Sequence, residues 1–391
     1  MRRTVGVIAL MLAVLSLAAW DESNDQFTPV VVSPLLHKTQ RVLGTDGQDH
    51  VVYELTLTNT SHVTATLKKI EILDARDPSV ALDAYEGDTL LARLFRWENQ
   101  RAETPQLNFD ETRLFLIHLV LDPDVPMPHQ LVHRIEVLGA TGPGDPTPVL
   151  QTYTVAAVRV RSSIPAIGPP LAGNGWVAIN GCCEATGVHR STGLPINGQF
   201  YYAQRYAIDW MRLDDKGRLV HGDPADVHSY TSYGADIIAV ADGTIVAMRD
   251  DLEDQVPPNL PDPKTITAQT LLGNHVIQDI GDGFFAFYAH LKQGSVTVAP
   301  GDAVRRGQVV GKLGNSGNTS APHLHFHIMA GRSAIASNGL PYVIDGFTLA
   351  GQIPPDAFTG VEGTCNEFLF PQPSAVDHQF PLDLAIINFT P

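Results

Sequence analysis

A chain of 391 residues with 44% hydrophobic and 17% charged residues has the make-up of folded globular protein, and it is longer than one hydrophobic core usually serves, which predicts two domains. A formal net charge of −16 offers no electrostatic grip on nucleic acid or on anionic membrane and wall polymers, so nucleic acid is excluded as a partner. The three cysteines, Cys182, Cys183 and Cys365, form no metal-binding set by spacing, and one bridge from Cys365 to either of the adjacent pair is expected in an oxidising compartment.

In chain order, Met1-Arg2-Arg3-Thr4 leads into an apolar run, Val5 to Ala19, with Ser16, Ala18 and Ala19 near its end. A basic start, a short hydrophobic stretch and small residues at a cleavage point predict a signal peptide over residues 1–20 and a periplasmic or secreted protein. The run is short for a membrane span, so no stable membrane insertion is expected after signal cleavage. No cysteine follows it closely enough to suggest a lipid anchor.

From residue 27 to residue 161 the chain reads as short strands broken by turn residues. Val51 to Asn59 alternates apolar and polar positions, as a half-buried strand does. Leu67 to Leu73, Val132 to Leu138 and Gln151 to Val160 are further strands. Leu114 to Leu121 is nearly all apolar and is expected to be buried on both faces. Strands of this number and length predict an antiparallel sandwich of immunoglobulin-like kind. No convergent His, Asp or Cys cluster stands out here, which gives this part the role of a spacer or interaction module. Residues 162–172, with Pro165, Pro169 and Pro170, read as a proline-rich linker, and residues 173–391 as the second domain.

The chemistry gathers in that second domain, in Pro322-His323-Leu324-His325-Phe326-His327-Ile328. Residues two apart on a strand face one side, so His323, His325 and His327 project together while Leu324, Phe326 and Ile328 face the other, buried, side. Such histidines suit one metal ligand beside one general base. Upstream lie Gly273-Asn274-His275, Gly281-Asp282-Gly283, Tyr288-Ala289-His290-Leu291, Pro300-Gly301-Asp302 and the glycine-bounded strand Gly307 to Gly314.

This ordered series, from about Gln204 to Met329, resembles the lysostaphin-type (LytM-type) zinc endopeptidases, which cleave peptide bonds in bacterial peptidoglycan. The resemblance, which the first domain does not share, implies an antiparallel β peptidase domain, so that with the sandwich before it the chain is all-β, and it implies one zinc ion and peptidoglycan peptides as partner. Carried over, it makes Asp209 and His325 zinc ligands, and His290 and His323 the groups that handle protons. Arg205 stands where the family's first histidine ligand is expected. A guanidinium stays protonated and has no lone pair for zinc, so His189, in Gly187-Val188-His189-Arg190, is the expected replacement, leaving Arg205 and His327 to the substrate cleft. His221 and His228 read as solvated loop residues. Three functions remain open: an exported zinc endopeptidase, an inactive relative that binds cell-wall peptides or regulates a partner hydrolase, and a structural exported protein dominated by its first domain.

Overall fold

The structure is a computed structural model that describes residues 25–389 apart from 143, 357, 359 and 361–368. The expected signal peptide and Cys365 lie outside the described residues. Among the described residues no helix is long and apolar enough to cross a membrane.

The first half is built on a ten-stranded sheet whose main path runs Asp77–Glu86, Ala65–Asp74, Gln130–Gly142, Asp145–Arg161, Lys38–Leu43, Asp49–Asn59, Thr112–Leu121 and Leu94–Phe95, with Val30–Pro34 paired to Asp49–Asn59 and Gln106–Leu107 to Ala65–Asp74 off that path. Its one parallel junction, Asp145–Arg161 beside Lys38–Leu43, joins two antiparallel parts that share a core. Val51, Tyr53, Leu55 and Leu57 come from one part, and Leu67, Ile70, Ile135 and Val137 from the other. Five of these strands overlap the runs read from the sequence.

A buried histidine makes this core sensitive to pH. His133, fully buried, donates from Nδ1 to the Ala156 carbonyl at 2.7 Å and accepts at Nε2 from the Tyr53 hydroxyl at 2.8 Å. The carbonyl is delivered by a bulge, since pairing skips between Val155 and Val158 and Ala156 has φ 61°. Burial pushes the His133 pKa down to about 4. Between that value and the ordinary 6.5 the unfolded chain binds the extra proton, so stability is complete above pH 6.5 and lost as pH falls towards 4, by at most about 3 kcal/mol. His133→Gln should shallow the fall in urea midpoint over this pH range; an unchanged slope would mean that His133 does not set it.

The second half is an eleven-stranded antiparallel sheet. Its path runs Ala303–Val304, Gly243–Arg249, Asn274–Asp279, Phe285–Leu291, Leu324–Met329, Ile208–Arg212, Gly173–Ile179, Ala385–Phe389, Phe347–Gln352 and Leu369–Val376. Leu324, Phe326 and Ile328 are wholly buried in a core with Trp176, Trp210 and Tyr288. Residues 162–172 are bonded into this half and do not hang as a free linker. Ala166–Ile167 pairs with Val343–Ile344, and Pro170 O accepts from Ile238 N at 2.9 Å. The expected Cys365 bridge is corrected by the structure, in which Cys182 and Cys183, both buried, are bonded to each other.

The halves are packed together. Register places His50, Val52 and Glu54 of one strand on the same face as Leu116, His118 and Val120 of the next. Most of that face lies against the second half: Leu114 and Leu116 cluster with Ala185 and Tyr202, and Val42 and Val52 join the core that contains Tyr206 and Phe380. Leu114–Leu121 is therefore apolar on both faces because one meets its own core and the other meets the neighbouring domain.

Candidate metal centre

Asp209 and His325 stand directly opposite each other on adjacent strands, so their side chains share a face. His325 Nδ1 lies 2.9 Å from Asp209 Oδ1. His189 arrives from outside the sheet, on the helical turn Val188–Ser191, and its Nε2 is 3.3 Å from Asp209 Oδ2. His323, just before the strand, points its Nε2 at Asp209 Oδ1 from 3.3 Å. His290 completes the group, its ring 4.7 Å from that of His323 and 5.9 Å from that of His325.

His290 owes its aim to a backbone irregularity. Asn274 pairs with Leu291 and His275 with Ala289, so His290 is skipped, and its φ is 62°. A bulged residue in the left-handed region costs of order 1–3 kcal/mol and re-aims a side chain. Here it sends the imidazole to Ser316 O, 2.8 Å from Nδ1.

Backbone carbonyls set the tautomers of two of these rings. A carbonyl oxygen can only accept, so His189 Nδ1, 3.1 Å from Ala207 O, carries a proton, as does His323 Nδ1, 2.8 Å from Ala321 O. Each then presents its Nε2 lone pair to the Asp209 carboxylate, an arrangement that repels unless a proton or a metal cation lies between. A backbone carbonyl on the far nitrogen is also the usual support of a metal-bound histidine. Burial works against a charge on His189 and on His323, yet the Asp209 carboxylate beside them outweighs it and holds both above the usual histidine range. Burial raises the Asp209 carboxyl, but the two imidazoles override it and keep it well below the usual range. His325 is pushed down to about 4, chiefly by burial, and His290 well below the ordinary value by burial and its histidine neighbours.

Two triads bring one ligand atom each within 4.8 Å of one another, His189 with Asp209 and His325, and His290 with His323 and His325. The His323 and Asp209 side chains are each 12% exposed, so solvent reaches the cluster beside them. Asn180, not singled out from the sequence, donates from Nδ2 to Asp209 Oδ2 at 2.8 Å. Nothing local marks it, because it follows a strand distant in sequence from Asp209.

The remaining expected site residues are placed elsewhere. Arg205 is 5% exposed and bonded in bidentate fashion to Glu54 of the first half, at 2.8 and 2.6 Å. His327, 1% exposed, sits beside His325 with 3.1 Å between their ring nitrogens. Arg205 nevertheless borders a cavity with Lys38, Gln40 and Phe284. His221 and His228 are exposed, and His275 is held by the Gly273 carbonyl.

Residues 226–337 match the profile of Peptidase family M23. A peptidoglycan DD-endopeptidase of Vibrio cholerae is 37% identical over 57 residues, which are 15% of this chain and 13% of that protein. The chain thus spans a small part of that curated relative. Among solved structures, the catalytic domain of lysostaphin from Staphylococcus simulans is similar over 43% of this chain and 84% of its own, at 21% identity and a TM-score of 0.23. A zinc-containing peptidase from Vibrio cholerae is similar over 77% and 85%, at 13% identity and a TM-score of 0.20.

Proposed function

We propose, for a chain whose second half carries a domain of Peptidase family M23, that it is an exported zinc endopeptidase that hydrolyses peptide bonds in peptidoglycan. The observation that supports this most directly is His189 Nε2 meeting Asp209 and His325 where Arg205 could not serve as a ligand. His189, Asp209 and His325 are assigned to hold the ion: two imidazoles and a carboxylate are the three protein ligands of a catalytic zinc centre.

Bound there, zinc supplies Lewis acidity to the scissile carbonyl and lowers the pKa of water. The protein's own groups move the protons. His323, whose side chain is partly open to solvent, accepts a proton at Nε2 while Ala321 O fixes its tautomer. His290, whose Nδ1–H is fixed on Ser316 O, keeps an Nε2 lone pair beside it and is placed to relay that proton to the leaving amine. Asp209 balances the charge of both steps.

The test is release of soluble peptide-linked fragments from purified peptidoglycan, followed by chromatography. The wild-type protein should release them, and His323→Ala should lower kcat by about 10²–10⁴-fold while zinc content is retained. Absence of release by zinc-loaded wild type would leave a binding or regulatory module as the function.

A further inference from the structure

A second cluster of metal-ligating side chains lies where the two halves meet. His50 Nδ1 is 2.8 Å from His118 Nε2, and Cys183 Sγ lies within 4.8 Å of both ligand nitrogens. The imidazoles are diagonal neighbours on the face that the first domain turns to the second. All three residues are buried, His50 and Cys183 at 3% and 4% exposure.

The far nitrogen of His50 is hydrogen-bonded to a carboxylate, and that of His118 faces one at ion-pair distance. His50 Nε2 is 3.0 Å from Asp46 Oδ1, and His118 Nδ1 is 3.6 Å from Glu184 Oε1. A carboxylate accepts, so Asp46 draws the proton of His50 to its outer nitrogen. His50 Nδ1 is then a lone pair turned to His118 Nε2, and it is satisfied either by the His118 Nε2 proton or, when His118 carries its proton on Nδ1, by a cation that both nitrogens share. A cation with imidazole ligands inside and carboxylates outside is the usual two-layer arrangement of a metal site. The exposed Asp46 and Glu184 side chains mark the route of entry.

We propose that His50, His118 and Cys183 form a second site for a divalent cation of the zinc type, complete only when the Cys182–Cys183 bond is reduced. The two nitrogens and the thiolate form a ligand set suited to zinc, with a fourth position for water. In the oxidised form the Cys183 sulfur is held in the disulfide and lends no thiolate. A phosphine reductant, oxidised to its oxide with water supplying the oxygen and both protons, opens the bond to two thiols. Cys183 then loses its proton to solvent as the cation binds. This site shares no ligand with His189, Asp209 and His325, although Cys183 lies on the loop that leads to His189.

Titration of the full-length protein with cobalt(II) tests this, because the first centre contains no thiolate and only the second can give a thiolate-to-cobalt charge-transfer band. Phosphine-reduced protein should bind one more equivalent of cobalt than oxidised protein and gain that band. Cys182→Ser should show the band without reductant, Cys183→Ser should lose it, and Cys365→Ser should keep it. His118→Ala should weaken this binding at least about tenfold. No extra equivalent and no band in reduced wild type, or a band that survives Cys183→Ser, would overturn the proposal, whatever the first centre binds.

Discussion

Replacing His189 by alanine is expected to strip zinc from the protein and take peptide-bond hydrolysis to background, whereas Arg205→Met keeps one zinc per folded chain. Loss of an outer partner of a metal ligand already weakens metal binding about 10–100-fold, and loss of one of three protein ligands should exceed the upper figure. The contrast is informative because Arg205 occupies the position where the resemblance expects a ligand. In the structure its guanidinium faces Glu54 and the Gly339 carbonyl, so removing it costs stability and leaves the donor atoms in place. Metal content after dialysis, measured by elemental analysis, separates the cases. If His189→Ala keeps its zinc, the ion belongs to the other triad, His290 with His323 and His325.

The cluster was legible in part because its members signal through local spacing. His323, His325 and His327 announce a strand with a histidine face, and Asp209 lies on the next strand in register. The sequence also marks His189 as a nearby histidine, but the turn that delivers it is four residues long and has no periodicity to read. Glu54 was illegible for a different reason. In Val51 to Asn59 it looks like a polar position on the solvent face of a half-buried strand, and only the arrival of the second domain buries it. His50, His118 and Cys183 were hidden in the same way, since 68 residues separate the histidines and the cysteine belongs to the other half. Contacts made across a domain interface leave no trace in local periodicity.

Glu54→Gln is expected to be the most damaging single change far from the histidines. The carboxylate is 1% exposed and takes ion pairs from Arg205 at 2.6 Å and from Arg190 at 2.9 Å. Burial alone would raise its pKa, and the two guanidinia reverse that and keep it below the usual range, so it is the charge that neutralises both. Without it two like charges remain buried with their hydrogen-bond partner weakened, a loss of about 3–5 kcal/mol and a fall in melting temperature of roughly 10 °C for domains of this size. The damage should also reach the metal. Arg190 follows His189 on the same turn, donates to Tyr53 O at 3.0 Å and is ion-paired with Glu54, so the first domain holds the turn that presents His189. Zinc affinity of Glu54→Gln at a temperature where it stays folded should therefore fall, although Glu54 touches none of the ligands. Calorimetric melting and competition with a zinc chelator measure the two effects. A variant that melts early but holds zinc as tightly as wild type would show that the sheet domain alone positions His189.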